Sequence, residues 1–180
     1  VAIGPGSFTG VRIAISVVKG LFFGKKVNLY SINELDANAY QVYLGIINSI
    51  EKNSEEKIRI YSLIDSGKEK VYYAEYIVID GDFKRKIEYR VGKLDDVLKE
   101  CRASCMEMGK VYFSGDAVFN YKNKIKDTLK DKAILVEDER LKISSSTFFR
   151  MFLMGKLEKS DIYSLKPDYL EKTQAERDKK

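Results

Sequence analysis

No histidine occurs among the 180 residues. That absence removes a Ser-His-Asp triad, an H-E-x-x-H zinc site and a histidine general base from consideration. Cysteine is almost as scarce: Cys101 and Cys105 sit four apart in a predicted helix. Two cysteines make no disulfide framework, and without histidine or a CxxC partner they complete no metal-ligand set, so core packing is expected and no metal. A reducing, cytoplasmic setting suits such a chain. No apolar run approaches the roughly 20 residues of a membrane-spanning helix. The sequence also lacks an initiator methionine, internal repeats and low-complexity segments.

What remains is the composition of an ordinary globular chain, 44% hydrophobic and 33% charged, with a net charge of +5. Such a length can bury a real core, as one domain or as two small ones. The modest positive charge permits contact with an RNA backbone, but lysine is spread along the chain and clusters only in the tail. That tail, Glu171–Lys180, alternates in sign and reads most simply as a solvated helix end.

The densest information lies in Val1–Gly24, VAIGPGSFTGVRIAISVVKGLFFG. An apolar strand end enters Gly4-Pro5-Gly6, where a fixed proline φ between two permissive glycines reverses the chain. Ser7 and Thr9 are both good N-cap residues for the helix that follows, and Gly24 stands where a left-handed residue ends it. Gly4, Pro5, Gly6, Ser7, Thr9 and Gly10 are therefore assigned to a structural turn. At about 100° per residue, Gly10, Ala14, Val17 and Leu21 fall on one apolar stripe, and Val11, Ile15, Val18 and Phe22 on a second. Only Arg12, Ser16 and Lys19 mark a polar side. A helix lying on one sheet needs a single apolar face. Either the helix is buried within its own domain, or the small-residue stripe packs on the sheet and the larger stripe meets a partner helix. The second reading places partner contacts on Val11, Arg12, Ile15, Val18, Lys19 and Phe22.

Further along, Val27–Ser31 is strand-like, and Ser31 or Asn33 caps a helix from about Glu34 to Ile47. Polar residues Asn48–Lys57 read as a loop between subdomains. Ile58–Ile64 and Val71–Ile79 form a hairpin turned by Asp65-Ser66-Gly67-Lys68, with the first strand apolar on both faces, hence central. Asp80-Gly81-Asp82 turns again into an edge strand, Lys84–Val91. Helices at Leu94–Met106, Ala117–Leu129 and Thr147–Met154 alternate with strands at Val111–Ser114 and Ala133–Val136. Phe148, Met151 and Phe152 are expected inward on the last helix. The domain reading is 1–50 for the remainder of an N-terminal subdomain, 58–160 for a C-terminal α/β subdomain, and 161–180 for a C-terminal segment.

Few residues offer chemistry. Gly4–Gly10 leads into a helix N-terminus that can hold an anion, but it is no P-loop: Lys19 lies about two and a half turns beyond it. Asp65, Lys68, Glu69 and Tyr72 gather at one hairpin, where Asp and Gly already have turn-forming reasons to be. Ser114-Gly115-Asp116 sits where a strand ends and a helix begins, the usual ligand position in α/β sheets, although Asp116 serves equally as a cap.

The run GPGSFTGVRIAISVVKGL, with DSGKEKVYYAEY at Asp65–Tyr76, FSGD at Phe113–Asp116 and PDYLEKTQAER at Pro167–Arg177, resembles the TsaB (YeaZ) family of bacterial proteins needed for threonylcarbamoyladenosine in tRNA. The resemblance implies an α/β, actin-like ATPase (ribonuclease H-like) fold with two subdomains, the first incomplete. Members of that family begin with several strands and a helix before this point, so the chain reads as N-terminally truncated. The resemblance further implies a non-catalytic scaffolding or activating subunit that pairs with the catalytic paralogue TsaD and the ATPase TsaE and meets tRNA indirectly. A homodimer through the same helix face, and an adenine nucleotide at the partner junction, remain open, with no other cofactor expected. In nucleotide-binding members of the fold a glycine-rich turn at the place of Ser114–Asp116 touches the nucleoside. The rival readings are a glycoprotease-like peptidase, which the missing histidines oppose, and a small-molecule kinase or ATPase of the same fold.

Overall fold

The computed structural model describes residues 1–47, 57–108, 110–136 and 143–170, with the side chains of 104–108 left aside. The expected loop at 48–57 lies outside the described residues except for Lys57, and the tail at 171–180 lies outside them entirely. Helix α1 is Phe8–Phe22, capped by Ser7, whose Oγ accepts from the Gly10 amide at 3.3 Å. It ends before Gly24, which takes φ +69. Strand β1 (Leu29–Ser31) leads into α2 (Glu34–Ile46), capped by Asn33, whose Oδ1 accepts from the Leu35 amide at 2.9 Å. Of the two caps read from sequence, Asn33 is used, because Ser31 is taken up as the last residue of β1.

The larger sheet has five strands in the order β4-β3-β2-β5-β6. Strands β2 (Ile58–Gly67) and β3 (Lys70–Ile79) form the hairpin, and β4 (Asp82–Lys93) lies antiparallel at the edge. Helix α3 (Leu94–Met108) crosses to β5 (Val111–Ser114), which runs parallel to β2. Helices α4 (Asp116–Asn120) and α5 (Lys122–Leu129) then lead to β6 (Ala133–Leu135), parallel to β5. Every residue of β2 from Ile58 to Ile64 is buried, as expected of a strand covered on both faces.

Three details differ from the sequence reading. The hairpin turn is Lys68-Glu69, both at positive φ, rather than the stretch from Asp65; this two-residue geometry matches the twist of the flanking strands. The helix expected at Ala117–Leu129 breaks at Tyr121, whose backbone leaves the helical region at φ −118 and ψ 20. On α6 (Ser145–Leu153) Thr147 and Met151 are the buried residues, whereas Phe152 is 43% exposed with its ring against Tyr30.

Strand β7 (Glu158–Ser160) pairs antiparallel with β1, and Ala2 bridges Ile32 beside it. Two clusters of apolar residues cover the faces of the large sheet. One joins Tyr61, Leu63, Val71 and Phe113 to α3, α4 and α5. The other joins Ile60, Ile64, Ala74 and Tyr76 to Leu35, Ala39 and Val42 of α2 and Met151 of α6. A third, small cluster sits under α1.

Candidate functional site

The chain was expected to offer Val11, Ile15, Val18 and Phe22 to a partner while Gly10 and Ala14 lay on its own sheet. In the structure Val11 and Ile15 turn inward, Val18 and Phe22 are half-buried, and Gly10 and Ala14 are exposed. Val11 and Ile15 are 9% and 5% exposed and close on Leu165, with Val1, Ile3, Val18 and Leu29 around them. Each such side chain contributes about 1.5–3 kcal/mol by leaving water, which is why the larger stripe wins the interior. Arg12 and Lys19 are likewise engaged within the chain. The Arg12 Nε donates to the Tyr169 hydroxyl at 2.6 Å, and its guanidinium lies over the Phe8 ring at 4.7 Å. Lys19 Nζ donates to the Tyr163 carbonyl at 3.2 Å. Phe22 is half-buried, with the Lys25 ammonium 6.0 Å from its ring.

The segment 163–170 thus straps the inward side of α1. Asp168 ties it to the opening turn: its amide donates to the Ile3 carbonyl at 2.8 Å, and its Oδ2 accepts from Asn33 at 3.1 Å. Tyr169 stacks on Phe8 at 4.6 Å. Gly4 is buried at φ +110, and a Cβ there would press on the Asp168 carbonyl at 3.4 Å. Pro5 is buried behind it, and Gly6 faces the Glu34 carboxylate. Ser7 caps α1, Thr9 is exposed, and Gly10 packs over Ser7.

The stripe left in solvent is the other one. Val17 and Leu21 are 52% and 58% exposed, Ile13 is 58% exposed, and Gly10 and Ala14 are exposed beside them. This face, with small residues that let another backbone come close, is the candidate interaction surface.

The remaining sequence candidates separate. Asp65 is consumed by the scaffold: Oδ1 accepts from Gly67 and Tyr121, and Oδ2 from Asn120 at 2.7 Å. Glu69 pairs with Lys124 at 3.1 Å, Lys68 is exposed, and Tyr72 turns toward the Gly4–Gly6 turn and Pro167. Ser114-Gly115-Asp116 does sit at a strand-to-helix switch, beside a cleft lined also by Glu34 and Asn38. Gly115 has φ +98, and a Cβ there would lie 2.0 Å from the Leu63 carbonyl oxygen, so glycine is required for β5 to pass so close to β2. Asp116 Oδ1 accepts from the Asp65 amide at 2.9 Å and so locks the two turns together. Cys101 is buried; the Cys105 side chain lies outside the description. Among the described residues no group of three or more Cys, Asp or Glu can hold a metal, and no helix is long and apolar enough to cross a membrane.

Sequence reasoning missed a buried ion pair. Arg59 and Glu75, 0% and 1% exposed, meet at 2.5 Å, with the Tyr61 hydroxyl donating to the second carboxylate oxygen at 3.3 Å. Burial opposes the charged form of Arg59, but the hydrogen bond and charge of Glu75 outweigh it and raise its pKa. Burial, then Glu75, pushes the Tyr61 phenol up as well. The signal available was a charged residue at an inward position of each hairpin strand.

The family model described as TsaD, tRNA N6-adenosine threonylcarbamoyltransferase, matches residues 1–177. The tRNA threonylcarbamoyladenosine biosynthesis protein TsaB of Bacillus subtilis is 27% identical over 98% of this chain and 70% of its own length. The protein of the same name from Escherichia coli is 36% identical over 41% of this chain, a match that spans only 28% of that relative. Among solved structures, a Pseudomonas aeruginosa protein described as similar to peptidase YeaZ superposes with a TM-score of 0.63 at 22% identity, over 94% of this chain and 71% of that one. YeaZ of the same organism gives 0.58, also at 22% identity and with the same coverage. These two likenesses and the mixed five-stranded sheet agree with the expected actin-like, ribonuclease H-like α/β fold. The chain belongs to the TsaD tRNA N6-adenosine threonylcarbamoyltransferase family, on its TsaB (YeaZ) side.

Proposed function

We propose that this protein takes part in threonylcarbamoyladenosine biosynthesis in tRNA as a non-catalytic subunit. In this reading it docks a TsaD-type transferase, works alongside a TsaE-type ATPase in the cytoplasm, and meets tRNA only through the assembly. The observation that carries the reading is the free face of α1. Its inward stripe is already filled by Leu165 and its polar flank by Tyr163 and Tyr169, yet Ile13, Val17 and Leu21 stay in water. The partner contacts first assigned to Val11, Ile15 and Val18 therefore move around the helix by one stripe. A second copy of the chain competes for the same face when the transferase is absent. In this reading the unit 1–50 contributes the surface through α1, the unit 58–160 contributes the α/β body, and residues 163–170 of the C-terminal segment hold α1 in place.

The lack of histidine argues against the peptidase reading, and no observation favours a kinase. The test is co-elution with a TsaD-type partner. Wild type should pair with it, Val17→Glu should not, and the isolated protein should leave tRNA unmodified. Turnover by the isolated protein, abolished by a substitution in this chain, would overturn the assignment.

A further inference from the structure

The β1–β7 ladder stops at the Leu29–Ser160 pair, and beside that end the chain leaves a groove of about 630 Å³. Gly24–Leu29 form one wall and Lys159–Tyr163 the other. That volume lies in the range of ligand sites. Three lysines line it: Lys25, Lys26 and Lys159. Asp161 is the one acid among the described residues of the lining, and its Oδ2 already accepts from the Tyr163 and Ser164 amides at 3.0 and 2.9 Å. Lys25 has a local reason to stand here, since its ammonium lies 6.0 Å from the Phe22 ring at the C-terminal end of α1, where cations are favoured. Lys26 and Lys159 are exposed, and neither ammonium is paired among the described residues.

Two aromatic rings stand beside these cations. Tyr163 belongs to the second wall and is 70% exposed, while Phe23, 71% exposed, immediately precedes the first. The rings meet edge to face with centroids 6.1 Å apart, which leaves ring faces open to solvent. Tyr163 is carried on a pinned backbone: its amide donates to Asp161, and its carbonyl accepts from Lys19 at 3.2 Å. The ring is therefore a platform whose position is set in advance.

Lysines and open rings together define what fits. A free phosphate would use the lysines and gain nothing from the rings. An apolar partner segment would cover the rings and bury the ammonium groups unpaired, at several kcal/mol. A single-stranded nucleic acid uses both, with cations along its phosphates and a base stacked on a ring. We propose that this groove is an RNA-docking surface, with the phosphates of a single-stranded segment crossing Lys25, Lys26 and Lys159 and one base stacked on Tyr163. The inference rests on the tRNA reading above and deepens it, by naming the surface this chain lays against RNA once the assembly holds the two together.

The test titrates a fluorescein-labelled oligouridine of about eight nucleotides into the full 180-residue chain over a series of salt concentrations. Saturable binding is expected, its affinity falling on a log–log plot against salt with a slope of about −2 for three phosphate contacts. Lys26→Ala should make that slope shallower by about 0.7, and Tyr163→Ala should weaken binding about tenfold at an unchanged slope. Each variant is first checked for a wild-type melt; Lys159→Ala and Tyr163→Leu replace one that fails it, with the same expected losses. Lys99→Ala, on α3 beside Asp96, should leave affinity and slope as they are. Co-elution with the TsaD-type partner is read separately. A wild-type chain that binds oligouridine without co-eluting supports the groove and sinks the assembly reading. No saturable binding, equally tight binding of a polyglutamate peptide, an unchanged slope in Lys26→Ala, or an equal slope change in Lys99→Ala would each overturn the assignment.

Discussion

Removing the charge of Glu75 tests the energetics of the large sheet most directly. Glu75→Gln keeps the size of the side chain but leaves Arg59, fully buried and held charged, facing a neutral amide. Lys86, whose ammonium approaches the same carboxylate at 3.4 Å, then adds a second uncompensated positive charge. Breaking a buried pair from one side costs about 3–5 kcal/mol, because the remaining ion has lost water and its countercharge. For a chain of this size each 1 kcal/mol moves the melting temperature by about 2–4 °C, so a fall of roughly 6–20 °C is expected. Replacing both partners with apolar residues, Arg59→Met with Glu75→Leu, should recover most of that loss, since neither charge is then desolvated. Thermal and urea melts of wild type, both single variants and the double variant close the cycle. If Glu75→Gln melts within a degree of wild type, the pair is not buried as described and the reasoning fails.

Ile15→Glu should unfold the α1 region while Val17→Glu stays within about 0.5 kcal/mol of wild type, as expected of a surface change; parallel melts read this, and the opposite order would restore the first assignment of faces. Gly115→Ala should destabilise by at least about 1–3 kcal/mol, because a Cβ at φ +98 is strained and would strike the Leu63 carbonyl; urea midpoints measure it. Glu34 has a raised folded pKa, so its protonated form favours the fold, and that stability is lost as pH rises from about 4 through the folded value. Glu34→Gln should therefore gain on wild type at pH 7 and lose that advantage below about pH 4; a gap independent of pH in the urea midpoints would refute the sign.

Local signals carried much of the architecture. Ser7 and Asn33 are caps because a short side-chain oxygen reaches amides two or three residues on, and that chemistry is complete within a few residues. Apolar residues on both faces of Ile58–Ile64 likewise marked β2 as central, and all seven are buried. Failures came where a distant contact decided. Both stripes of α1 are apolar, and the distant partners Leu165, Ile3 and Leu29 decide that the larger one turns inward. Glu158–Ser160 carries no strand pattern and becomes β7 because β1 offers it an edge. The cleft beside Glu34 is assembled from six separated stretches of chain, so no single spacing announces it, although its Ser114-Gly115-Asp116 edge was legible as a strand-to-helix switch.

The cluster that joins Leu35, Ala39 and Val42 of α2 to Ile60, Ala74 and Tyr76 of the large sheet has a mechanical consequence. The phenol of Tyr76 donates to Asp36 at 2.6 Å, Tyr89 reaches the same carboxylate, and Arg85 clamps it from β4. Swinging the α1–α2 half away from the sheet would break those bonds and wet Leu35, Tyr76 and Met151 together. A clamshell motion of that kind is blocked by oil and by a bolt. The cleft lined by Glu34 and Asp116 spans the same junction, so its width is tied to those contacts.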